Sequence, residues 1–177
     1  MSKEIETLIS AEEYLRNELS ASFKSEYMAG NVIPLHRQID QYGTVTNMAG
    51  AQPAHNLLVG RLIALLNFCL DDKECLVFPS DQLLHIPMCE WFTYPDVTII
   101  CQEPDYVTSP AGLKALRNPS VIVEVLSKNT EAYDRGDKFE FYQTLESLQH
   151  YVLVTSFGKP KVEIYTKKTA KDWGYHI

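Results

Sequence analysis

The chain has 177 residues, 45% of them hydrophobic and 22% charged, which suits one soluble globular domain with a real core spanning 1–177. Its net charge of −7 and pI near 5.2 argue against broad, non-specific nucleic-acid binding, while leaving room for a local basic channel. No N-terminal stretch resembles a signal peptide and no apolar run of about 18 residues stands out as a membrane span, so a cytoplasmic protein with no membrane partner is expected.

The elements are read in chain order. Ser10 followed by Glu13 is a capping-box start for a short helix over 10–19. Gly30-Asn31 marks a turn, and residues 32–39 and 44–49 can pair as strands around Gln41-Tyr42-Gly43, giving an N-terminal hairpin. From His55 to Phe68 the apolar residues fall on nearly every face, the pattern of a helix buried on most sides. Strands are expected at about 75–86 and 94–101, a loop or short helix at 103–118, and the most apolar strand at 120–126. A helix over 131–147 and strands at 151–154 and 161–165 follow, the last two separated by the Gly158-Lys159-Pro160 turn. Residues 171–177 read as one more strand. The order helix, three strands, helix, strand describes an α/β fold on a mixed sheet.

Two carboxylates stand out. Asp96, in Tyr94-Pro95-Asp96-Val97, opens a strand, and an exposed Pro-Asp turn is the plain alternative to a site residue. Glu124 sits inside Val121-Ile122-Val123-Glu124-Val125-Leu126, sharing one face with Ile122 and Leu126. A carboxylate buried there costs several kcal/mol unless compensated. Its partner is either a cation such as Arg135 or Lys138, or a metal ion. Asp134, Lys138 and Tyr142 share a helical face, so Lys138 either reaches the carboxylates or forms an ordinary i,i+4 pair with Asp134. Lys128 is a second candidate on a more exposed turn, and Ser127 and Thr130 are equally capable of capping the next helix.

Three further residues carry a site reading beside a structural one. Asp81 is a third strand carboxylate, also explained by an edge position. His55 opens the long helix and could cap it or meet a phosphate, and Glu26 precedes the Gly30 turn. The four cysteines, Cys69, Cys75, Cys89 and Cys101, have no CxxC or zinc spacing; Cys69 and Cys101 are expected as buried thiols. There is no P-loop, GxGxxG, GxSxG or HExxH, and the dispersed aromatics form no evident base-stacking platform.

Taken in order, Ser25-Glu26-Tyr27 with Gly30, Met48-Ala49-Gly50 with His55, Ser80-Asp81, Tyr94-Pro95-Asp96-Val97, Glu124-Val125-Leu126-Ser127 with Thr130, and Asp134-Arg135-Gly136-Asp137-Lys138 with Tyr142 resemble the Uma2 family. The resemblance runs from about residue 10 to 170. It implies a restriction-endonuclease-like core of the PD-(D/E)XK nuclease superfamily. Asp96 would be the acid after the proline, Glu124 the second acid, and both would hold Mg²⁺ or Mn²⁺. The superfamily's lysine two residues after the second acid is absent, because position 126 is Leu, and Lys138 would replace it. The stretch between Gly30 and Met48, with His36 and Arg37, is longer than the family leads one to expect. The implied activity is metal-dependent phosphodiester hydrolysis by a homodimer acting on nucleic acid. One alternative is a catalytically degenerate module of the same fold that binds nucleic acid or a protein; another is a purely structural or interaction domain whose acidic cluster only forms salt bridges.

Overall fold

The computed structural model describes residues 8–35, 37–39, 45–47, 52–71 and 73–177 as two six-stranded mixed sheets with few helices. Chain entry is set by α1 (Ala11–Ser20), whose Ser10 hydroxyl accepts the Glu13 N–H at 3.1 Å, as the capping pattern requires. Tyr14 and Leu15 of this helix are buried against the first sheet. There β1 (Ser25–Met28) and β2 (Asn31–Pro34) form a hairpin whose two-residue turn is Ala29-Gly30. Both turn residues have positive φ, +46° and +99°, so the glycine is needed here, and Leu8 packs 3.1 Å from where its Cβ would lie. The sequence reading ran this strand on to residue 39. Instead β3 (Arg37–Ile39) pairs with β4 (Val45–Asn47) as a separate ribbon. His36, Gln41-Tyr42-Gly43 and Met48-Ala49-Gly50 lie outside the described residues.

The long helix α2 (Pro53–Leu70) begins with Pro at its first position, where no amide donor is needed. Leu58, Leu62 and Leu66 lie against Val97, Ile99, Val123 and Val125 of the second sheet. Its other side is bare: Leu57, Leu65 and Phe68 are 56%, 58% and 83% exposed. The expectation of a helix buried on most sides is therefore corrected, since only one side meets a sheet. Its 18 residues, at mean hydropathy 1.3, also meet the length and composition of a membrane span, contrary to the sequence reading. Here it serves as the cover of a sheet.

The expected strand at 75–86 divides into β5 (Leu76–Pro79) and β6 (Leu84–Ile86), which join different sheets. After a short 3-10 turn at Pro87–Cys89 come β7 (Trp91–Thr93) and β8 (Val97–Ile100). The span 103–118 holds the antiparallel pair β9 (Tyr106–Thr108) and β10 (Lys114–Leu116) where a loop or helix was expected. The most apolar strand is β11 (Val121–Leu126). The helix expected over 131–147 is α3 (Glu131–Arg135) and α4 (Asp137–Tyr142), broken at Gly136. The remaining strands are β12 (His150–Thr155), β13 (Val162–Lys167) and β14 (Trp173–His176).

The first sheet runs β2-β1-β7-β6-β10-β9 and the second β14-β13-β12-β11-β8-β5. In the second, β11 is parallel to β12 and antiparallel to β8, so it is a central strand buried on both faces. Val123 and Val125 face α2, whereas Ile122 and Leu126 face α3 and α4, with Tyr142, Tyr151 and Trp91 in the main core. The pairing of Leu76 with Ile100 brings Cys75 and Cys101 opposite each other at the strand ends, where they are disulfide-bonded. Cys69 lies exposed on the bare side of α2. Neither Cys69 nor Cys101 is the buried thiol expected from its apolar neighbours.

Candidate active site

The antiparallel register of β8 and β11 creates the site. Val97 pairs with Val123, so one step further Asp96 lies beside Glu124. Glu124 belongs to the Ile122–Leu126 face, which points into the core below α3 and α4, and it is only 3% exposed. Its compensation comes from α4. Lys138 Nζ donates to Glu124 Oε1 at 3.0 Å, and the Tyr142 hydroxyl donates to the same oxygen at 2.9 Å. Lys138 also lies 3.1 Å from Asp134 Oδ1, so a single ammonium bridges two buried carboxylates. Asp134, Lys138 and Tyr142 keep their common face although the helix breaks at Gly136 between them.

The electrostatics follow from this crowding. Burial pushes the Glu124 carboxyl up to about 8; Lys138 opposes that push, while Asp134 and Asp96 add to it. Burial alone would discharge Lys138, but the negative charge of Glu124, with Asp134 and Glu26, holds the ammonium above its ordinary value. Lys138 thus stays charged among these acids, while burial works against the Glu124 carboxylate.

Asp96 lies at the edge of the same site. Its Oδ2 accepts the Val125 N–H at 2.7 Å and lies 3.1 Å from His55 Nε2. The hydrogen bond to Asp96 raises the His55 pKa, against the effect of its partial burial. Glu26, buried on β1, accepts the Thr93 hydroxyl at 2.5 Å. Glu26, His55, Asp96, Glu124, Asp134 and Lys138 all line one cleft of about 1060 Å³. Ser127, Thr130 and the exposed Lys128 line it too. The Ser127 hydroxyl accepts the Asn129 and Thr130 amides, the local role the sequence allowed.

Asp81 is different. Its side chain is 81% exposed and paired with Lys24, and it does not reach the cleft, although its neighbour Ser80 does. Arg135, the other cation weighed for Glu124, instead binds Glu163 at 2.5 Å and Glu131 at 2.9 Å. Two cleft features were not read from the sequence. Phe23 and Leu35, beside β1 and β2, and Phe157, just after β12, form apolar parts of the lining. No local signal could have found them, because three distant segments meet there.

The family profile of Uma2, described as "Putative restriction endonuclease", matches residues 11–175. The chain belongs to the Uma2 family. It is 36% identical over 166 residues to "Uncharacterized protein sll1609" of Synechocystis sp., a match covering 94% of this chain and 85% of that protein. A second Synechocystis protein, "Uncharacterized protein slr1290", is 33% identical over 165 residues, covering 93% and 77%. The fold is also that of a crystal structure from Anabaena variabilis titled a "putative nuclease belonging to DUF820". That match has a TM-score of 0.57 at 12% identity, covering 91% of this chain and 82% of the other.

The family's description as a "Putative restriction endonuclease" raises the question of a divalent cation. Among the described residues, no group of three or more His, Cys, Asp or Glu side chains is arranged to hold a metal ion. Mg²⁺, however, is commonly held by one or two carboxylates, with water and substrate phosphate completing the shell. The oxygens of Asp96 and Glu124 suit such a hard cation. His55 and Val125 both engage Asp96 through Oδ2, and Lys138 and Tyr142 both engage Glu124 through Oε1. Each carboxylate thus turns one oxygen to the protein, and the donor set fits.

Proposed function

We propose that the chain is a metal-dependent endonuclease that hydrolyses phosphodiester bonds in this cleft. The observation that carries the reading is Lys138 placed between Glu124 and Asp134, in the cleft that Asp96 also lines. Asp96 and Glu124 would hold Mg²⁺ or Mn²⁺, which when bound supplies Lewis-acid polarisation of the phosphate and a more acidic water. Lys138 stabilises the negative charge that develops on the phosphate as the nucleophile adds. Leu126 is fully buried and supplies no cation, so α4 delivers the lysine that β11 lacks. Tyr142 fixes Glu124 in one rotamer, and the Val125 amide does the same for Asp96. His55 steadies Asp96 and remains close enough to exchange a proton at its edge.

A second reading, a binding module of the same fold without catalysis, is favoured by one observation. Lys138 and His55 already engage the carboxylates that the cation would need. The wider proposal is a single domain over 1–177, working on nucleic acid as a cytoplasmic homodimer. The exposed Leu57, Leu65 and Phe68 of α2 support self-association, and in a reducing compartment the Cys75–Cys101 bridge would open. The test is cleavage of mixed DNA and RNA with Mg²⁺ or Mn²⁺ by wild type, Glu124→Ala and Lys138→Ala. Cleavage lost in both folded variants is the expected result. A wild type that neither cleaves nor binds the cation by calorimetry overturns the nuclease in favour of the binding module.

A further inference from the structure

The second sheet carries a covalent link that the chemistry of the cleft does not use. Cys75 and Cys101, 26 residues apart, are disulfide-bonded one step beyond the pairing of Leu76 with Ile100. β5 is an edge strand of that sheet, and among the described residues its one strand partner is β8. Their ladder runs from Leu76 opposite Ile100 to Pro79 opposite Val97, and the next residues along, Ser80 and Asp96, line the cleft. Between Pro79 and Val97 the chain crosses to the first sheet and returns through β6 and β7. The bridge thus closes that excursion at one end of the β5 and β8 ladder, and the Asp96 site lies at the other end.

The two cysteines differ in access. Cys75 is half-buried and packs against the valine cluster under α2. Cys101 is exposed and lines an apolar groove of about 480 Å³ together with Leu66, Leu70, Ile99, Val121 and Val152. Exposed disulfides are the exchangeable ones, because the attacking thiolate has to reach a sulfur. The fold does not hang on the bridge, since the hydrogen-bonded ladder of β5 and β8 holds the strands beside it. What the bridge adds is a constraint on an edge strand, the part of a sheet least held by its neighbours.

We propose that the Cys75 to Cys101 bridge is a reversible thiol–disulfide exchange site, reduced by a dithiol that reaches Cys101 from the groove, and that its opening loosens β5 and with it the seating of Asp96. A thiolate of the dithiol attacks the Cys101 sulfur, the bond between the two cysteines breaks, and Cys75 leaves as a thiolate that takes up a proton. The second thiol of the reductant then attacks the mixed disulfide and releases Cys101, which is protonated in turn. Two electrons and two protons pass to the protein, and the dithiol becomes a disulfide. Asp96 responds because it stands at the entry to β8 and is held from two sides, by the Val125 N–H at 2.7 Å and by His55 at 3.1 Å. His55 lies in the first turn of α2, and Leu70, the last residue of that helix, shares the groove with Cys101. Helix and strand therefore both run from the bridge to the site. None of this requires the cleft to be a nuclease.

The test uses the full chain carrying Cys69→Ser, which removes the exposed thiol on α2 from the exchange. The protein is oxidised with glutathione disulfide and then reduced with dithiothreitol or with a small Cys-X-X-Cys protein, so that free and protein-borne dithiols are compared. Glutathione alone stops at the mixed disulfide, and peptide mass spectrometry should place its first adduct on Cys101. Reduction should lower the melting temperature by about 5–10 °C, as expected for opening a loop of this length. It should also speed amide hydrogen exchange of β5 and of the Val125 N–H about tenfold or more. The double variant Cys75→Ser, Cys101→Ser should give the reduced values with and without dithiothreitol, which ties the change to this bridge. Faster reduction by the protein dithiol sustains the site with a protein as its reductant, and equal rates sustain it with a small dithiol. Thiols that stay free under glutathione disulfide, or a bridge that survives excess dithiothreitol in the folded protein, overturns the exchange site. A first adduct on Cys75 overturns the approach from the groove, and unchanged Val125 exchange on reduction overturns the coupling to Asp96.

Discussion

Glu124 and Glu163 occupy the same row of the same sheet face, and they behave in opposite ways. Glu124 on β11 pairs with Leu153 on β12, and Leu153 pairs with Glu163 on β13. Both glutamates are buried, at 3% and 2% exposure, and both receive a cation from the segment 131–142. Glu163 is surrounded by donors: Arg135 at 2.5 Å, Tyr175 at 2.5 Å and Lys161 at 2.9 Å. Although burial alone would raise it, those hydrogen bonds hold its pKa down to about 2. Burial pushes Glu124 up to about 8: its one cation, shared with Asp134, opposes that only in part, and Asp134 and Asp96 add to it. Residue type does not distinguish the two. The desolvation of Glu124 and the number of donors around Glu163 do, and a carboxylate left short of donors is the one with capacity for a ligand.

The largest effect is expected at Lys138. Lys138→Ala leaves two buried carboxylates without their cation, which should cost about 3 kcal/mol of stability and at least a hundredfold in cleavage. Calorimetric melting and single-turnover cleavage check the two halves separately. Arg135→Ala should match the stability loss, about 3 kcal/mol or roughly 10 °C in melting temperature, because it strips the main cation from Glu163. Below its melting temperature this variant should still cleave, which sharpens the contrast between the two acids.

The two carboxylates should also answer pH in opposite senses. Glu163 is depressed from 4.5 to about 2, so its contribution to stability is present above pH 4.5 and is lost as pH falls from 4.5 toward 2. Glu124 is raised from 4.5 to about 8, so the stability of its protonated form is present below pH 4.5 and is lost as pH rises through 8. Affinity for Mn²⁺ should rise over that second window as the proton leaves. Melting curves and metal titrations across the pH range test both signs. The smallest effects belong to the tyrosines. Tyr175→Phe removes one of several donors from Glu163 and should cost about 1 kcal/mol with cleavage unchanged. Tyr142→Phe removes one of only two donors from Glu124, and should move the rise in Mn²⁺ affinity to higher pH.

Much of the Glu124 half was legible in the sequence, because it is built from local rules. Alternation along β11 placed Glu124 with Ile122 and Leu126, and helical spacing placed Lys138 with Asp134 and Tyr142. The Glu163 half was not. Val162-Glu163-Ile164 reads as an ordinary strand with one face outward, and nothing local shows that Arg135, Lys161 and Tyr175 converge on that face. The same limit explains the other differences. That the 75–86 strand divides between two sheets, that Cys75 meets Cys101, and that Phe23 and Phe157 share a cleft are all consequences of pairings between distant segments.

The most direct measurement replaces each glutamate by its neutral isostere and records Mn²⁺-dependent cleavage together with melting temperature. Glu124→Gln should abolish cleavage while the fold survives with little change in melting. Glu163→Gln should melt several degrees lower and still cleave when folded. If Glu124→Gln cleaves like the wild type, or if Glu163→Gln loses cleavage while remaining folded, the division of roles between the two acids is contradicted.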